Sequence, residues 1–306
     1  MNLKGKKVIL AGGTGMIGSH LIDALASEGA DTALLSRNTK MYKGLKAYQW
    51  STEDGTIDPE ALEGVDYIVN LAGAGIADKR WTESRKKVIV ESRIKSAELI
   101  KRELVKKGIK PLGYLSASAV GYYGDRGDEQ LPESSGPGDD FIAETVVQWE
   151  NAADSLAELM PVIKVRWGIV LSTKGGALPK MAGPQGFGIG AILGSGKQYY
   201  PWIHIDDVAR VIIFLLKREN FSGVVNGVSP TPVTQREFVD AIERGMKKPA
   251  LKVPAPAFAI RMGMGEMASV VLNSHRVVPK KLKEMAYEFK FTDPVEAMRD
   301  LAERKI

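Results

Sequence analysis

Gly12, Gly15 and Gly18 recur at every third position in Gly12-Gly13-Thr14-Gly15-Met16-Ile17-Gly18, close to the N-terminus. An apolar run, residues 8–11, precedes them, and an amphipathic stretch, residues 19–27, follows. Bare backbone at such a turn allows a sharp reversal and lets a pyrophosphate approach. The helix behind it offers free N–H groups and the positive end of its dipole. Strand, glycine turn and helix in that order make a dinucleotide site; a plain strand-to-helix turn is the simpler alternative. On the first reading Gly12, Thr14, Gly15, Met16, Ile17 and Gly18 touch the cofactor.

Three further strand ends add polar groups. The second strand closes on Ser36-Arg37-Asn38. An NAD site expects a carboxylate about 20 residues past the glycines, to accept from the ribose 2′-hydroxyl. None stands there. Arg37 instead suits a 2′-phosphate, because its planar fork donates two parallel bonds, and Ser36 adds a donor. NADP(H) is therefore expected over NAD(H), with a loop arginine as the plain alternative. Asn70-Leu71-Ala72-Gly73 closes the next strand with small residues, either for approach to the cofactor or for close packing. Leu115-Ser116-Ala117-Ser118-Ala119-Val120-Gly121-Tyr122-Tyr123-Gly124-Asp125 is dense in hydroxyls and belongs at the nicotinamide edge of such a sheet. Ser118 is able to orient a carbonyl there, or is a packed strand-end serine. Arg166 closes a later strand and either contacts cofactor or an anion, or forms an ion pair. Arg93 either faces the site or sits exposed on its helix.

These positions need a scaffold, and the chain alternates strand-like with helical segments. Strands are expected at 7–11, 31–36, 67–71, 111–116, 162–170 and 223–227. Helices are expected at 17–28, 59–62, 81–107 (with a break left open), 140–158, 206–217 and 294–305. Alternation of this kind implies a parallel sheet covered on both faces, with ligands at the strands' carboxyl ends. Residues 174–197 are glycine-rich, and the chain from 229 onward is proline-punctuated and helical. The domain expectation is a dinucleotide-binding unit over 1–173 with 203–228 returning to it. A smaller lobe then comprises 174–202 and 229–306. Gly194-Ser195-Gly196-Lys197 is not a P-loop, because Ala191 replaces the first glycine and Gln198 the hydroxyl residue.

The 306 residues carry 44% hydrophobic and 26% charged side chains, ordinary for a globular protein. A net charge of +5 is mild and scattered, without the aromatic company of a nucleic-acid binder. The absence of cysteine excludes disulfides and thiolate chemistry. His20 and His275 have no partners at metal spacing, so no metal site is expected. No apolar run is long enough to span a bilayer and no leader precedes the first strand, so the expectation is a cytoplasmic protein acting on a small molecule.

The motifs together resemble the extended short-chain dehydrogenases/reductases, the group of nucleotide-sugar epimerases and dehydratases. They are the glycine turn, Asn70-Leu71-Ala72-Gly73, Ser116-Ala117-Ser118 before Tyr123-Gly124, and Pro201-Trp202-Ile203-His204-Ile205-Asp206-Asp207-Val208. Within it the chain is similar to a subfamily known only as epimerase family proteins, also described as cell-division-inhibitor-like. The marks are residues 116–124, Arg166-Trp167-Gly168-Ile169-Val170-Leu171, and the segments around Met264-Gly265-Glu266 and Arg276-Val277-Val278-Pro279. The resemblance covers essentially the whole chain. It implies a Rossmann-type doubly wound parallel sheet with a small, discontinuous, mostly α C-terminal substrate lobe. It also implies NAD(P)-dependent oxidoreductase or epimerase chemistry, and the helices at 81–107 and 140–158 permit a homodimer. That group's usual chemistry pairs serine with Tyr-x-x-x-Lys, the tyrosine acting as general acid/base. Here Phe141 stands at the tyrosine position and Thr145 at the lysine position. Tyr42 and Lys46 form the chain's one Tyr-x-x-x-Lys, far from where the pair is needed. Three readings stay open. Another acid, Tyr122, Tyr123, Glu144 or His204, replaces the tyrosine while Ser118 orients a carbonyl; or water or substrate supplies the proton; or the protein binds NADP(H) without catalysis, as a regulator or sensor.

Overall fold

The computed structural model describes residues 2–304. Eight strands form the main sheet: β1 (Lys7–Ala11), β2 (Asp31–Ser36), β3 (Ala47–Ser51), β4 (Thr56–Ile57), β5 (Tyr67–Asn70), β6 (Gly113–Ala119), β7 (Val162–Trp167) and β8 (Gly223–Gly227). Their order is β8-β7-β6-β5-β1-β2-β3-β4, parallel except for the β3–β4 pair. The central strands are buried on both faces, which is why they read as near-continuous apolar runs. After β1 the chain builds β2 to β4 on one side and then β5 to β8 on the other. The order therefore reverses between β1 and β5, where a crevice opens at the carboxyl edge.

Helices α1 (Met16–Ser27) and α4 (Ile205–Leu216) cover one face, burying Leu21, Leu25, Val208 and Ile212 in a core with Val8 and Val69. On the other face α2 (Glu83–Lys107) and α3 (Phe141–Asp154) bury Ile100, Leu104 and Ala153 against Ile9 and Ile68. Local signals set their ends. Thr82 accepts from the Arg85 amide at the start of α2, Gly108 ends it at φ +66°, and Asp140 caps α3 through the Ala143 amide. Residues 174–202 contribute short helical turns and a strand, Ile189–Leu193, that pairs in parallel with Leu251–Ala255. Helices α5 (Gln235–Gly245) and α6 (Pro294–Glu303) pack so closely that a Cβ on Gly245 would lie 2.4 Å from Met298 Cβ.

Several expected elements shift by a few residues, and α2 is unbroken. The segment at 59–62 is a run of turns, not a helix, because Asp58 and Glu60 carbonyls close short turns onto Ala61 and Glu63. β3 and β4 were not expected; their short polar-flanked runs carry little periodicity. Position 305, expected to end the last helix, lies outside the described residues. Among the described residues no helix is long and apolar enough to cross a membrane.

Candidate nucleotide site and its neighbouring polar network

The glycine turn leaves β1 at the reversal point. Gly12 adopts φ +79°, and a Cβ there would stand 2.8 Å from the Leu71 carbonyl carbon at the end of β5. A Cβ on Gly18 would lie 2.4 Å from the Gly12 carbonyl oxygen. Both positions admit only a bare backbone, so the turn, α1 and β5 meet without side chains between them. Gly15 precedes α1 in an extended conformation, with no side chain capping the helix and no acidic residue in its first turn. The Ser19 amide makes the first bond into the helix, to the Gly15 carbonyl at 2.8 Å. The amides of Met16, Ile17 and Gly18 come before it and have no helical acceptor. Thr14 and Gly15 are exposed and Met16 and Ile17 half-buried, so this helix end is open. Such an end favours an anion through its N–H groups and dipole. The loop after Leu171 runs beside it: a Cβ on Gly176 would lie 3.1 Å from Met16 Sδ.

At the end of β2, Ser36 Oγ accepts from the Asn38 amide at 3.1 Å, and Arg37 is exposed. At the end of β5, Leu71 donates to the Ala11 carbonyl, and Asn70 fastens the strand to its neighbours. Its Nδ2 donates to Ser96 Oγ (2.9 Å) and Tyr114 OH (2.8 Å), and its Oδ1 accepts from the Ala72 amide. Gly73 lies against Arg93, which points inward from α2 rather than into solvent. Tyr42 and Lys43 are occupied on α1, through Ser19 and Asp23.

The hydroxyls at the end of β6 turn inward. Ser116 Oγ donates to the Ala117 carbonyl. Ser118, 3% exposed, donates to Glu150 Oε1 of α3 at 2.6 Å. Glu150 forms a two-point ion pair with Arg166 at 2.7 and 2.8 Å. Arg166 Nη1 donates to the Tyr123 hydroxyl (3.0 Å), which donates to Asn226 Oδ1 (2.7 Å). Asn226 Nδ2 in turn donates to the Leu131 and Val278 carbonyls, and its backbone amide donates to Glu133 Oε1. Burial pushes the Tyr123 hydroxyl up, against the opposing pull of Arg166. Tyr122 is half-buried, with its ring 3.3 Å from Arg166 Cζ, and its hydroxyl donates to no protein atom among the described residues. The sequence reading missed Glu150, although it lies in the buried stripe Val146, Trp149, Glu150, Ala153 of α3. A carboxylate on such a stripe needs a buried cation.

Phe141 opens α3 and packs edge-on against Trp81, with centroids 5.1 Å apart; Thr145 Oγ1 donates to the Phe141 carbonyl at 2.7 Å. Glu144 is exposed. His204 is fully buried, where its Nδ1 caps α4 by accepting from the Asp206 amide at 3.1 Å. His204, Asp206 and Asp300 converge, but Asp206 is already held by Arg304, Lys290 and His20. Asp207 ties down the 287–291 segment through the Lys290 and Phe291 amides.

Strand order, reversal point and glycine cradle define a Rossmann-like α/β fold. Residues 8–142 match the NAD dependent epimerase/dehydratase family, and residues 255–301 match a domain of unknown function, DUF1731. An epimerase family protein of Staphylococcus aureus is 34% identical over 304 residues, covering 97% of this chain and 99% of the relative. One from Mycobacterium bovis is 36% identical over 92% of this chain. The chain belongs to the epimerase family. Among solved structures it is similar to human epimerase family protein SDR39U1 (isoform 2) with NADPH, at TM-score 0.86 and 30% identity over 98% of this chain and 100% of that one. It is also similar to a nucleoside-diphosphate sugar epimerase from Corynebacterium glutamicum, at TM-score 0.79 and 28% identity over 98% of this chain and 59% of that one.

Proposed function

We propose that this protein binds NADP(H) in the glycine-turn cleft. We further propose that it uses the cofactor in oxidoreductase or epimerase-like chemistry on a small molecule, without a Tyr-x-x-x-Lys pair. The observation that carries the reading is the cradle: Gly12 and Gly18 leave no room for side chains, and the α1 end offers unfilled amides with no acid beside them. The NADPH bound by the human relative supports it. Arg37 would meet a 2′-phosphate, being an exposed cation where the NAD pattern calls for a carboxylate. When bound, the nicotinamide supplies a hydride donor or acceptor. Tyr122 is the proton source consistent with the geometry, since its hydroxyl is free and a guanidinium lies under its ring, whereas Tyr123 and Ser118 are committed.

A second reading, a non-catalytic NADP(H)-binding regulator, is favoured by Phe141 and Thr145 and by the commitment of Ser118 to Glu150. Nicotinamide fluorescence titrations with NADPH and NADH test the first claim. Tight NADPH binding that Arg37→Ala weakens about tenfold or more, with NADH little changed, is expected. No binding of either nucleotide overturns both readings. NADPH oxidation across a panel of carbonyl compounds separates them: turnover lost in Tyr122→Phe supports the enzyme, and binding without turnover supports the regulator.

A further inference from the structure

Two arginines on α2 lie under the 73–80 loop. Arg85, Ile89 and Arg93 follow one another at helical spacing, one turn apart. Arg93 is half-buried. Its Nη1 donates to the Ile89 carbonyl at 2.8 Å, its guanidinium lies 4.9 Å from the Trp149 ring centre, and a Cβ on Gly73 would meet its Cζ at 3.3 Å. Its Nε and Nη2 donate to no protein atom, and no carboxylate pairs with it among the described residues. Burial, and secondarily the charge of Arg85, lower it to about 10. Arg85 gives Nη2 to the Gly75 carbonyl and has the exposed Asp78 at 3.9 Å, but its buried Nε has no partner. The buried Trp149 Nε1 has none either. The unfilled groups gathered here are all donors, and three of the four belong to the two arginines. Proteins rarely leave a buried cation without an anion, because the desolvation goes uncompensated.

We propose that Arg93, backed by Arg85, holds an oxyanion, a phosphate or carboxylate group, at the carboxyl edge of the sheet beside Gly73. A guanidinium stacked on an indole is pre-oriented to donate two parallel bonds. The anion comes either from the cofactor's own phosphates or from an acidic substrate. The site deepens the cofactor-cleft reading, and rests on it only for deciding which molecule brings the anion.

The full-length protein is titrated with inorganic phosphate against chloride of matched ionic strength, following tryptophan fluorescence and thermal stability. Saturable phosphate binding is expected in the wild type, weakened about tenfold or more in Arg93→Met and partly kept in Arg93→Lys. Should Arg93→Met fail to fold, Trp149→Phe serves in its place, because loss of the phosphate-induced fluorescence change locates the anion at this ring. No phosphate binding, equal binding in Arg93→Met, or an unchanged signal in Trp149→Phe overturns the proposal. Phosphate competing with NADPH assigns the anion to the cofactor; simultaneous binding assigns it to the substrate. Arg93-dependent phosphate binding in a protein that ignores NADPH would sink the cofactor reading and leave this one standing.

Discussion

The carboxyl ends of β1 and β6 lie on the same edge of one sheet and handle their polar groups in opposite ways. At β1 the donors are backbone amides, open and unfilled, and Gly12 and Gly18 stand where a side chain would not fit. At β6 the donors are side chains, and almost all are filled from within: Ser118 by Glu150, Tyr123 by Asn226, Arg166 by both Glu150 and Tyr123. Open donors cost little because water satisfies them until a ligand arrives, whereas buried donors must find partners. The first arrangement leaves donors free for an anion. The second ties β6, α3, β7 and β8 together. A hydroxyl-rich motif is therefore no guide to chemistry until the acceptors around it are known.

Glu150→Gln is the sharpest way to break this contrast. It leaves Arg166, 4% exposed at its side chain, charged and without its carboxylate. Removing one partner of such a pair costs about 3–5 kcal/mol. Urea unfolding at neutral pH should show a loss of that size, while NADPH affinity stays within about twofold, as for sites that do not share partners. Unfolding midpoints near wild type would mean that the network contributes little. An affinity loss much beyond that would mean that the two ends act as one site.

A smaller effect comes from the second inward-facing cluster, at the start of α4. Burial is the main cause that lowers His204 to about 4, against the charges of Asp206 and Asp300 that pull it up. Arg304 and Lys290 add to the lowering. Its Nδ1 is committed as an acceptor, so the proton of the neutral ring sits on Nε2, 3.3 Å from Asp300. The unfolded chain takes up a proton near pH 6.5 and the folded one only near 4. Stability from this residue is thus full above pH 6.5 and falls as the pH drops toward 4. The loss amounts to about 2 kcal/mol by pH 5. His204→Asn, which keeps a cap acceptor, should flatten that part of the unfolding-versus-pH curve. An unchanged slope would show that other groups set the acid response.

Legibility followed the same division. The glycine turn was readable because the spacing within one contiguous stretch dictates its backbone geometry. The long apolar strands were readable for the same local reason. Partner choice was not. Arg166 in a buried strand left open a ligand contact or an ion pair, and only the fold brings Glu150, sixteen residues earlier on α3, against it. His204 stood among the candidate acids, yet it is buried as the cap of α4, and Asp206 beside it is held by Arg304 and Lys290 from the chain's far end. β3 and β4 escaped notice because short edge strands carry too few residues to show a period.

Ser118→Ala carries the least energy and the most information. The change removes one donor to Glu150, whose Oε1 still receives Arg166 Nε at 2.7 Å, so a loss of about 1 kcal/mol is expected. A structural serine predicts that this loss is accompanied by unchanged NADPH affinity and, for any substrate that turns over, unchanged turnover. A serine that orients a carbonyl predicts the reverse: stability barely altered and turnover reduced by about 100-fold or more. For the serine to orient a carbonyl, the hydroxyl would have to leave a 2.6 Å bond to a buried carboxylate before it could act. Forming that bond to substrate instead would strip Glu150 of one donor in the bound state. The geometry therefore favours the first outcome, and measured turnover in Ser118→Ala distinguishes a strand end that has given its hydroxyl to the fold from one that still holds it for a ligand.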